Sequence, residues 1–491
     1  MPRHPPVLST EEDKQRSEET SFNAEVASHA LSLRGRKLTV AIAFVAGTGF
    51  TLFGYDQGVM SALLTAGQFE KVFPQVIVDS SHPNHATLQS FVVAIYTSTV
   101  PSYHAELSPA AKRGALILIE GSLITFGVMI SYWIDFALFW ASGSSAQWRV
   151  PIALQIVLAL AMVFGIGFLP ESPRWLVKQN RNAEALAVIS ALEDKSPDNA
   201  EVQRTYHAIR EAVMIEDFGA STDLGDKHTP QHLKRSPLRR LFVGGRSQNF
   251  RRVSLGVMNQ CFQQITGINL ITYYATILFQ RLGLSDVTSR LIAAANGTEY
   301  FFASIIAIFI IDRIGRRKLM LFGAVGQCIT MILLAVLGSV QGTGAQVTSS
   351  VLLFVFNSFF AIGWLGMTWL YPAEIVGLEI RAPANALSTA SNWIFNFMVV
   401  MVTGPSFNNI SWGTYIVFAA LNAFIIPIVY FFFPETAGHM DVIFALAYNE
   451  GVSPVQVSLR KDVPLAGSPE ADRILGIDAV DREVNTSGEK Q

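Results

Sequence analysis

Ten long apolar stretches divide this chain, and they limit its fold more than any other feature of the sequence. A helix needs about 20 apolar residues to cross a hydrocarbon core of about 30 Å. The chain is 50% hydrophobic and only 15% charged, whereas soluble proteins carry about 25% charged residues. We therefore predict an all-α membrane protein with about 10 transmembrane helices. The predicted spans are 38–61, 88–103, 114–136, 150–168, 253–280, 289–311, 318–340, 347–373, 383–404 and 410–433.

The positive residues of the short connections predict the orientation. A cytosolic N-terminus places most of these residues inside, as the positive-inside rule requires, and both termini then lie in the cytosol. The inner residues are Arg34, Arg36, Lys37, Lys112, Arg113, Arg313, Arg316, Arg317, Lys318 and Arg381. The outer residues are Lys71, Arg149, Arg281 and Arg290.

The spans and connections predict five parts of the chain. They are a cytosolic tail (1–36), a reduced N-terminal bundle (37–169), a cytosolic linker with amphipathic helices (170–252), a C-terminal six-helix bundle (253–434) and a cytosolic tail (435–491). Helical apolar spacing at 183–192 predicts one of the linker helices. The segments 1–30 and 455–491 are polar and poor in aromatic residues, so we expect them to be disordered.

Other functional classes find little support in the composition. A net charge of −2 gives no indication of a nucleic-acid partner. Cys261 and Cys328 each lie inside an apolar stretch, which argues against a disulfide or a metal site. We find no nucleophile–base set and no metal-ligand spacing, so we expect neither enzymatic activity nor a cofactor.

Two features occur twice in the chain. Ala105-Glu106 precedes Arg113 as Ala373-Glu374 precedes Arg381, with an offset of 268 residues between the two glutamates. Pro170-Glu171-Ser172 is repeated as Pro434-Glu435-Thr436, with an offset of 264 residues. Two features at nearly one offset predict two homologous halves, which is a common plan for transporters.

The first of these halves is shorter than the second. Asn269 lies 105 residues before Glu374, whereas Asp56 lies only 50 residues before Glu106. About two helices and a loop are therefore missing, leaving four spans in the first half against six in the second. The weak span at 88–103, which is only 16 residues long and contains Pro101, is interpreted as a junction of two helices.

Several motifs in this order resemble the sugar porter family of the major facilitator superfamily, and fungal monosaccharide transporters within it. The resemblance runs from about Gly54 to Gly438. It rests on Phe53 to Gly58, Glu106 to Gly114, Pro170 to Arg174, Gln263 to Asn269 with Tyr273-Tyr274, Asp312 to Arg317, Trp369, Pro372, Glu374, Arg381, Asn392-Trp393 and Pro434 to Thr436. It implies a major facilitator fold of two helical bundles, with a central solute site exposed to each side in turn.

Three amides near one helix face predict a solute site. Gln263, Gln264 and Asn269 are costly in lipid and should face the bundle interior. The resemblance assigns them to sugar hydroxyls, and it adds Asn296, Trp369 and Asn392; Trp393 is interpreted as a packing residue. The alternative for all of them is hydrogen bonding between helices.

Three other positions leave alternatives open. Many relatives carry a sugar-binding glutamine where this chain has Gly121, so either Glu120 takes over part of that role or the first half contributes little to the site. A hydrogen bond between helices is the simpler interpretation of Glu120. Glu299 is an acid within a span, and a structural hydrogen bond is the simpler interpretation. In proton-coupled relatives the counterpart of Asp56 pairs with an arginine of the missing segment. Proton coupling through Asp56 is therefore left open.

The resemblance also implies a gate of charged residues at the cytosolic side, whose ion pairs break as that side opens. The gate residues are Glu106, Arg113, Glu171, Arg174, Arg316, Arg317, Glu374, Arg381 and Glu435. The gate of the first half is at best partial, because its arginine-rich loop is missing. Positive-inside anchoring alone accounts for Lys112 and Lys318.

We predict transport of a monosaccharide, a hexose or a pentose, by facilitated diffusion or proton symport. Two alternatives remain, a sugar sensor without transport and an inactive truncated transporter; a short C-terminal tail argues against the sensor. The expected partners are a sugar, protons in the case of symport, and the lipid bilayer, with the protein a monomer in the plasma membrane. The vacuole is the alternative location.

Overall fold

A computed structural model describes residues 11–73, 113–221 and 241–475, apart from 243, 246, 341, 378–379, 437–439, 461–462 and 465–467. The predicted span 88–103 and the gate residue Glu106 lie outside these ranges. The number of ten spans and the shortening of the first half therefore stay predictions.

Long helices form the described part of both halves. In the first half they are α2 (Gly35–Leu63), α4 (Arg113–Leu138) and α5 (Ala146–Ile166), with the short α3 (Gly67–Val72) after α2. In the second half they are α9 (Asn249–Ile265), α10 (Ile268–Arg281), α11 (Asp286–Ile314), α12 (Arg316–Gly338), α13 (Thr343–Phe360), α14 (Met367–Ile375), α15 (Arg381–Ile410) and α16 (Gly413–Phe432). Eight helical segments of the described chain are long and apolar enough to cross a membrane. Each predicted span other than 88–103 coincides with one of these helices or with a pair of them.

Glycines hold α2 and α4 in close contact. A Cβ atom at Gly54 would lie 2.6 Å from the carbonyl carbon of Ile124, and one at Gly127 would lie 2.6 Å from the backbone nitrogen of Tyr55. Gly58 faces Ser131 in the same contact. Helices of a membrane protein approach this closely only where small residues line the crossing, so these glycines set the geometry of the first half.

Two of the predicted spans are interrupted. Gly267, with φ of 98°, separates α9 from α10, and a positive φ of this size favours glycine. A π-helical segment, Ala361–Leu365, joins α13 to α14, and π-bulges of this kind are frequent at functional sites. Both interruptions border the central cavity described below, since Asn269 and Leu365 line it.

Shorter helices cover one end of the bundle, which we call the terminal face. They are α1 (Glu11–Ser28), α6 (Pro173–Lys178), α7 (Asn182–Glu193), α8 (Ala200–Ser221), α17 (Met440–Glu450), α18 (Pro454–Ser458) and α19 (Pro469–Leu475). The predicted linker helix is observed as α7. The end where α2 and α10 finish and α11 begins is the opposite face.

The prediction of disorder at 1–30 is wrong for residues 11–28, which form α1. Val26 is buried in an apolar cluster with Leu176 and Leu186, and Phe22 packs against the same cluster. This apolar contact with the linker offsets the polar composition of the segment. The predicted disorder at 455–491 is likewise wrong for the short helices α18 and α19, while residues 476–491 lie outside the described ranges.

Candidate solute site

A small cavity lies between the two halves, near the middle of the long helices. Its volume is about 30 Å³, room for about two water molecules and far less than the 300–1,000 Å³ typical of ligand pockets. A solute of sugar size therefore enters only after the surrounding helices separate. The lining consists of Phe53, Gln57, Ile124, Gln263, Gln264, Ile268, Asn269, Thr272, Tyr300, Phe360, Leu365, Thr368, Trp369, Asn392 and Asn396.

Five predicted solute residues meet in this lining: Gln263, Gln264, Asn269, Trp369 and Asn392. Their amides are linked to one another. Asn392 donates to the Oε1 atom of Gln263 at 3.1 Å, Gln264 donates to the same Oε1 atom at 2.5 Å, and Asn269 donates to Gln264. The second half therefore presents a connected row of amides to the cavity.

The break between α9 and α10 positions this row. Gln263 and Gln264 lie in the last turn of α9, and Asn269 lies in the first turn of α10. Asn422 on α16 donates to the backbone oxygen of Thr266, which the break leaves without its usual helical partner, at 2.9 Å. Broken helices of transporters place polar groups at the membrane midplane in this way.

Asn396 also lines the cavity, one turn after Asn392 on α15, and the sequence analysis missed it. It is buried, and its Oδ1 atom has no hydrogen-bond partner in the described part of the chain. The i, i+4 spacing from Asn392 is the signal that could have identified it. Trp393 contacts the ring of Phe53 at 5.7 Å between ring centres, which is the packing role that the sequence suggested.

The other intramembrane polar residues that the sequence analysis singled out lie outside the lining. Asn296 accepts a hydrogen bond from Asn357 on α13 at 2.8 Å. Glu299 accepts one from Ser358, also on α13. Glu120 is buried in α4. In the described conformation Asn296 and Glu299 thus connect α11 to α13.

Asp56 lies on α2 close to the cavity but not in its lining. Its Oδ1 atom is buried and has no hydrogen-bond partner among the residues that the structure describes. The neighbouring residues Gly54 and Gly58 lie on the surface of α2 that packs against α4. The sequence contains no Arg or Lys between Leu88 and Glu106 that could supply a cation from the undescribed segment.

Four of the predicted gate residues meet at the terminal face of the second half. Glu435 accepts hydrogen bonds from the backbone N–H groups of Arg316 and Arg317 at 2.7 and 3.2 Å, at the positive end of the α12 dipole. Arg316 also donates to Glu374 at 3.1 Å, and Thr436 donates to the other oxygen of Glu374. These contacts tie α12, α14 and the segment after α16 together.

The remaining gate residues are described only in part. Arg381 begins α15, Glu171 is exposed and Arg174 is half-buried. The side chain of Arg113 lies outside the described residues, as does Glu106. A network that joins the two halves at the terminal face is therefore a prediction that these residues leave untested.

The two halves are hydrogen-bonded at the opposite face through Arg290, which the sequence analysis counted among the outer positive residues. Arg290 is buried within α11. Its guanidinium donates to the backbone oxygens of Ala62 and Thr65, at 3.0 and 2.7 Å, at the end of α2. The Ala62 oxygen also accepts from the backbone N–H of Thr65 at 3.2 Å, so Arg290 adds a further donor to this oxygen at the end of α2.

Asp135 on α4 is the acidic counterpart of Arg290, and the sequence analysis overlooked it. It is buried, interacts electrostatically with Arg290, and forms no hydrogen bond with a described residue. Together these two side chains and the end of α2 join the two halves at the opposite face. We call this set the opposite clamp.

Replacing Arg290 with alanine should open this face. The substitution removes hydrogen bonds from a charged donor, each worth about 1.5–3 kcal/mol, so a cysteine placed at the buried Thr276 should react with a maleimide at least about tenfold faster. Arg281→Ala is the matched control, because Arg281 donates to Phe407 and Asn408 within the second half. Equal acceleration by both variants would contradict a clamp between the halves.

Metal or cofactor ligands do not stand out in the described ranges, where no group of three or more His, Cys, Asp and Glu side chains could hold a metal ion. The chemistry of the cavity is that of amides, hydroxyls and aromatic faces. Such a lining recognises an uncharged, polyhydroxylated molecule better than an ion.

Comparison with known proteins identifies a protein family that this chain matches. The family described as "Sugar (and other) transporter" matches residues 87–440. The sugar transporter STL1 of Saccharomyces cerevisiae is 36% identical over 498 aligned positions, which cover 87% of this chain and 84% of the relative. The major facilitator superfamily transporter mfsA of Aspergillus fumigatus is 31% identical and covers 91% of this chain and 94% of the relative.

The alignment with the yeast relative spans 498 positions, whereas 87% of this chain is about 427 residues. About 70 aligned positions in total therefore fall opposite gaps in this chain.

Solved structures are similar in fold. The xylose transporter XylE from E. coli, in a partially occluded inward-open conformation, has a TM-score of 0.63 at 21% identity, and the match covers 82% of this chain and 99% of that one. XylE bound to 6-bromo-6-deoxy-D-glucose has a TM-score of 0.60 at 23% identity and covers 81% of this chain and 96% of that one. These matches confirm the predicted all-α membrane fold of the major facilitator type.

Proposed function

Because the chain belongs to the family of sugar (and other) transporters, we propose that it carries a monosaccharide across a membrane by alternating access. The observation that carries this proposal is the row of linked amides at the central cavity, formed by Gln263, Gln264, Asn269 and Asn392. Amides both donate and accept, as hydroxyls do, and Trp369 supplies an aromatic face beside them. The names of the relatives point to the same class of solute.

The contracted cavity supports alternating access as the mechanism. The opposite clamp holds the two halves together on one side of the cavity, while the residues of the second half that would form a terminal gate contact each other. A solute reaches the amides only when one of these sides opens. Transport then requires that the two sides open in turn.

Uptake of labelled glucose and xylose in cells without their own hexose carriers tests the proposal. We expect saturable uptake that unlabelled sugar competes away. A protein at the cell surface that binds sugar without uptake would instead be a sensor. A protein that reaches the surface and neither binds nor transports would be an inactive truncated form.

We also propose that the terminal face is cytosolic, that the protein is a monomer and that it resides in the plasma membrane. The distribution of Lys and Arg over the connections supports this orientation. The division into two bundles and a linker, with boundaries at 37–169, 170–252 and 253–434, is proposed on the same basis. Protease protection of tags at each terminus distinguishes the two orientations.

Asp56 provides a test of proton coupling. We expect Asp56→Asn to leave equilibrative uptake within about twofold of the wild type, since the carboxylate has no cation partner in the described part of the chain and the sequence offers none between Leu88 and Glu106. Uptake against a gradient, measured with and without a protonophore, separates facilitated diffusion from symport. Loss of concentrative uptake in the variant alone would show that Asp56 couples protons to transport.

The proposed shortening of the first half is the reason to test for activity directly. The spacing of Asp56 and Glu106, 50 residues against 105 between Asn269 and Glu374, supports it, and the total of about 70 gapped positions against the yeast relative is large enough for a loss of about two helices. Sequencing the transcript across Tyr96 and Thr97 decides its origin. About 55 additional codons at this point would show that the chain as written lacks part of the natural protein.

A further inference from the structure

Helix α2 turns one narrow stripe of side chains towards the central cavity. Phe53 and Gln57 are one helical turn apart and both line the cavity, as i and i+4 residues on one face should. Gly54 and Gly58 lie on the adjacent face and are packed against α4. The tight crossing of the two helices therefore fixes which residues of α2 face the solute.

The rest of the described first-half wall is apolar. The lining from this half comprises Phe53, Gln57 and Ile124. On α4, Gly121 has no side chain to offer, and a Cβ atom at this position would lie 3.4 Å from the Leu365 side chain. Gln57 is consequently the one polar side chain that the described part of the first half presents to the cavity.

The amide of Gln57 also differs in its hydrogen bonding from the amides that the second half presents to the cavity. The amides of Gln263, Gln264, Asn269 and Asn392 are bonded to one another, whereas Gln57 forms no hydrogen bond with a described residue and is half-buried. A half-buried amide without a protein partner bonds to water in the cavity or to a solute. A solute hydroxyl can therefore take the place of water on this amide.

We propose that Gln57 is the solute-positioning residue of the first half. Its side-chain amide binds a ring hydroxyl on the edge of the sugar opposite to the edge held by Gln263 and Asn392, and it determines which hydroxyl the site requires. The inference rests on the proposed function. It assigns to α2 a polar contact that α4, with Gly121 beside Leu365, does not provide.

Deoxy sugars test this assignment. KM is measured for D-glucose, D-xylose and their monodeoxy analogues with the wild type and with Gln57→Leu. We expect the variant to raise KM for the parent sugar about three- to tenfold, the value of one hydrogen bond. For the analogue that lacks the hydroxyl bound by Gln57, the two proteins should have equal KM values. A purely structural role would raise KM by one factor for every sugar.

A control variant and a binding measurement separate failure of this inference from failure of the proposed function. Gln327→Leu is the matched control, because Gln327 is a fully buried amide on α12 whose side chain has no partner in the described chain and lies outside the lining; its KM values should be unchanged. Binding to purified protein is followed by tryptophan fluorescence. If the wild type transports a sugar and the KM values of Gln57→Leu equal those of the wild type for every sugar and analogue, this inference fails while the proposed function stands. If the wild type neither transports nor binds any of these sugars, both proposals fail.

Discussion

Replacing Gly54 with alanine should prevent the accumulation of folded protein. The added methyl carbon would lie 2.6 Å from the carbonyl carbon and 2.9 Å from the Cα atom of Ile124, and backbone atoms, unlike the end of a flexible side chain, do not move aside alone. Ordinary overpacking costs about 1–3 kcal/mol, so forcing two helix backbones apart should cost about 3 kcal/mol or more. Thermal unfolding of purified protein and its level at the cell surface measure the effect.

Gly344→Ala is the matched control for this substitution. Gly344 also lies in a helix, in the first turn of α13, but a Cβ atom there would meet nothing within 4 Å. The control should unfold at the same temperature as the wild type or slightly above it, because alanine favours helix more than glycine does. Equal stability of Gly54→Ala and the control would contradict the close crossing of α2 and α4.

Hydropathy predicted the described membrane helices because each of them must present an apolar surface to lipid over its whole length. It did not predict the breaks within them. Residues 253–280 and 347–373 are continuously apolar enough to be treated as single helices, yet Gly267 interrupts one and the π segment Ala361–Leu365 the other. Such interruptions depend on neighbouring helices that satisfy the freed backbone groups, as Asn422 does for Thr266.

The amides of the site were predictable for a different reason. An amide inside a span is costly unless it faces other polar groups, so Gln263, Gln264 and Asn269 point to the bundle interior from the sequence alone. Gln57 and Asn396 carry the same signal, and Asn396 also has the i, i+4 spacing from Asn392, but their positions in the lining depend on how α2 and α15 are rotated. Rotation is set by contacts between helices, which one sequence does not display.

Arg290 shows the limit of counting charges. The sequence analysis counted it among the outer positive residues, at the start of a predicted span, and gave it no partner. In the structure α11 begins at Asp286 and places Arg290 against the end of α2. Arg290 and its acceptors Ala62 and Thr65 are more than 200 residues apart in sequence, so this contact has no local signature.

Replacing Asn392 with leucine should lower transport efficiency by about tenfold or more. Asn392 donates to the Oε1 atoms of Gln260 and Gln263, at 2.6 and 3.1 Å. Leucine of similar size leaves the buried Gln260 acceptor unpaired, at a cost of about 1–3 kcal/mol, whereas the Gln263 acceptor keeps only its bond from Gln264. Part of that cost should lower the affinity for the solute, because the Gln263 amide loses a hydrogen bond that holds it towards the cavity. Asn259→Leu, which removes a buried amide of α9 that donates to Met367 outside the lining, is the control.

The double variant Asn392→Leu with Gln260→Leu separates stability from recognition. Gln260 is buried, donates to the backbone oxygen of Thr368 and lies outside the cavity lining. Removing both polar partners of a buried hydrogen bond is less costly than removing one, so the double variant should regain part of the lost stability. Its uptake should stay low, because Gln263 still lacks the Asn392 donor. Recovery of uptake together with stability would show that these amides only join the helices and do not bind the solute.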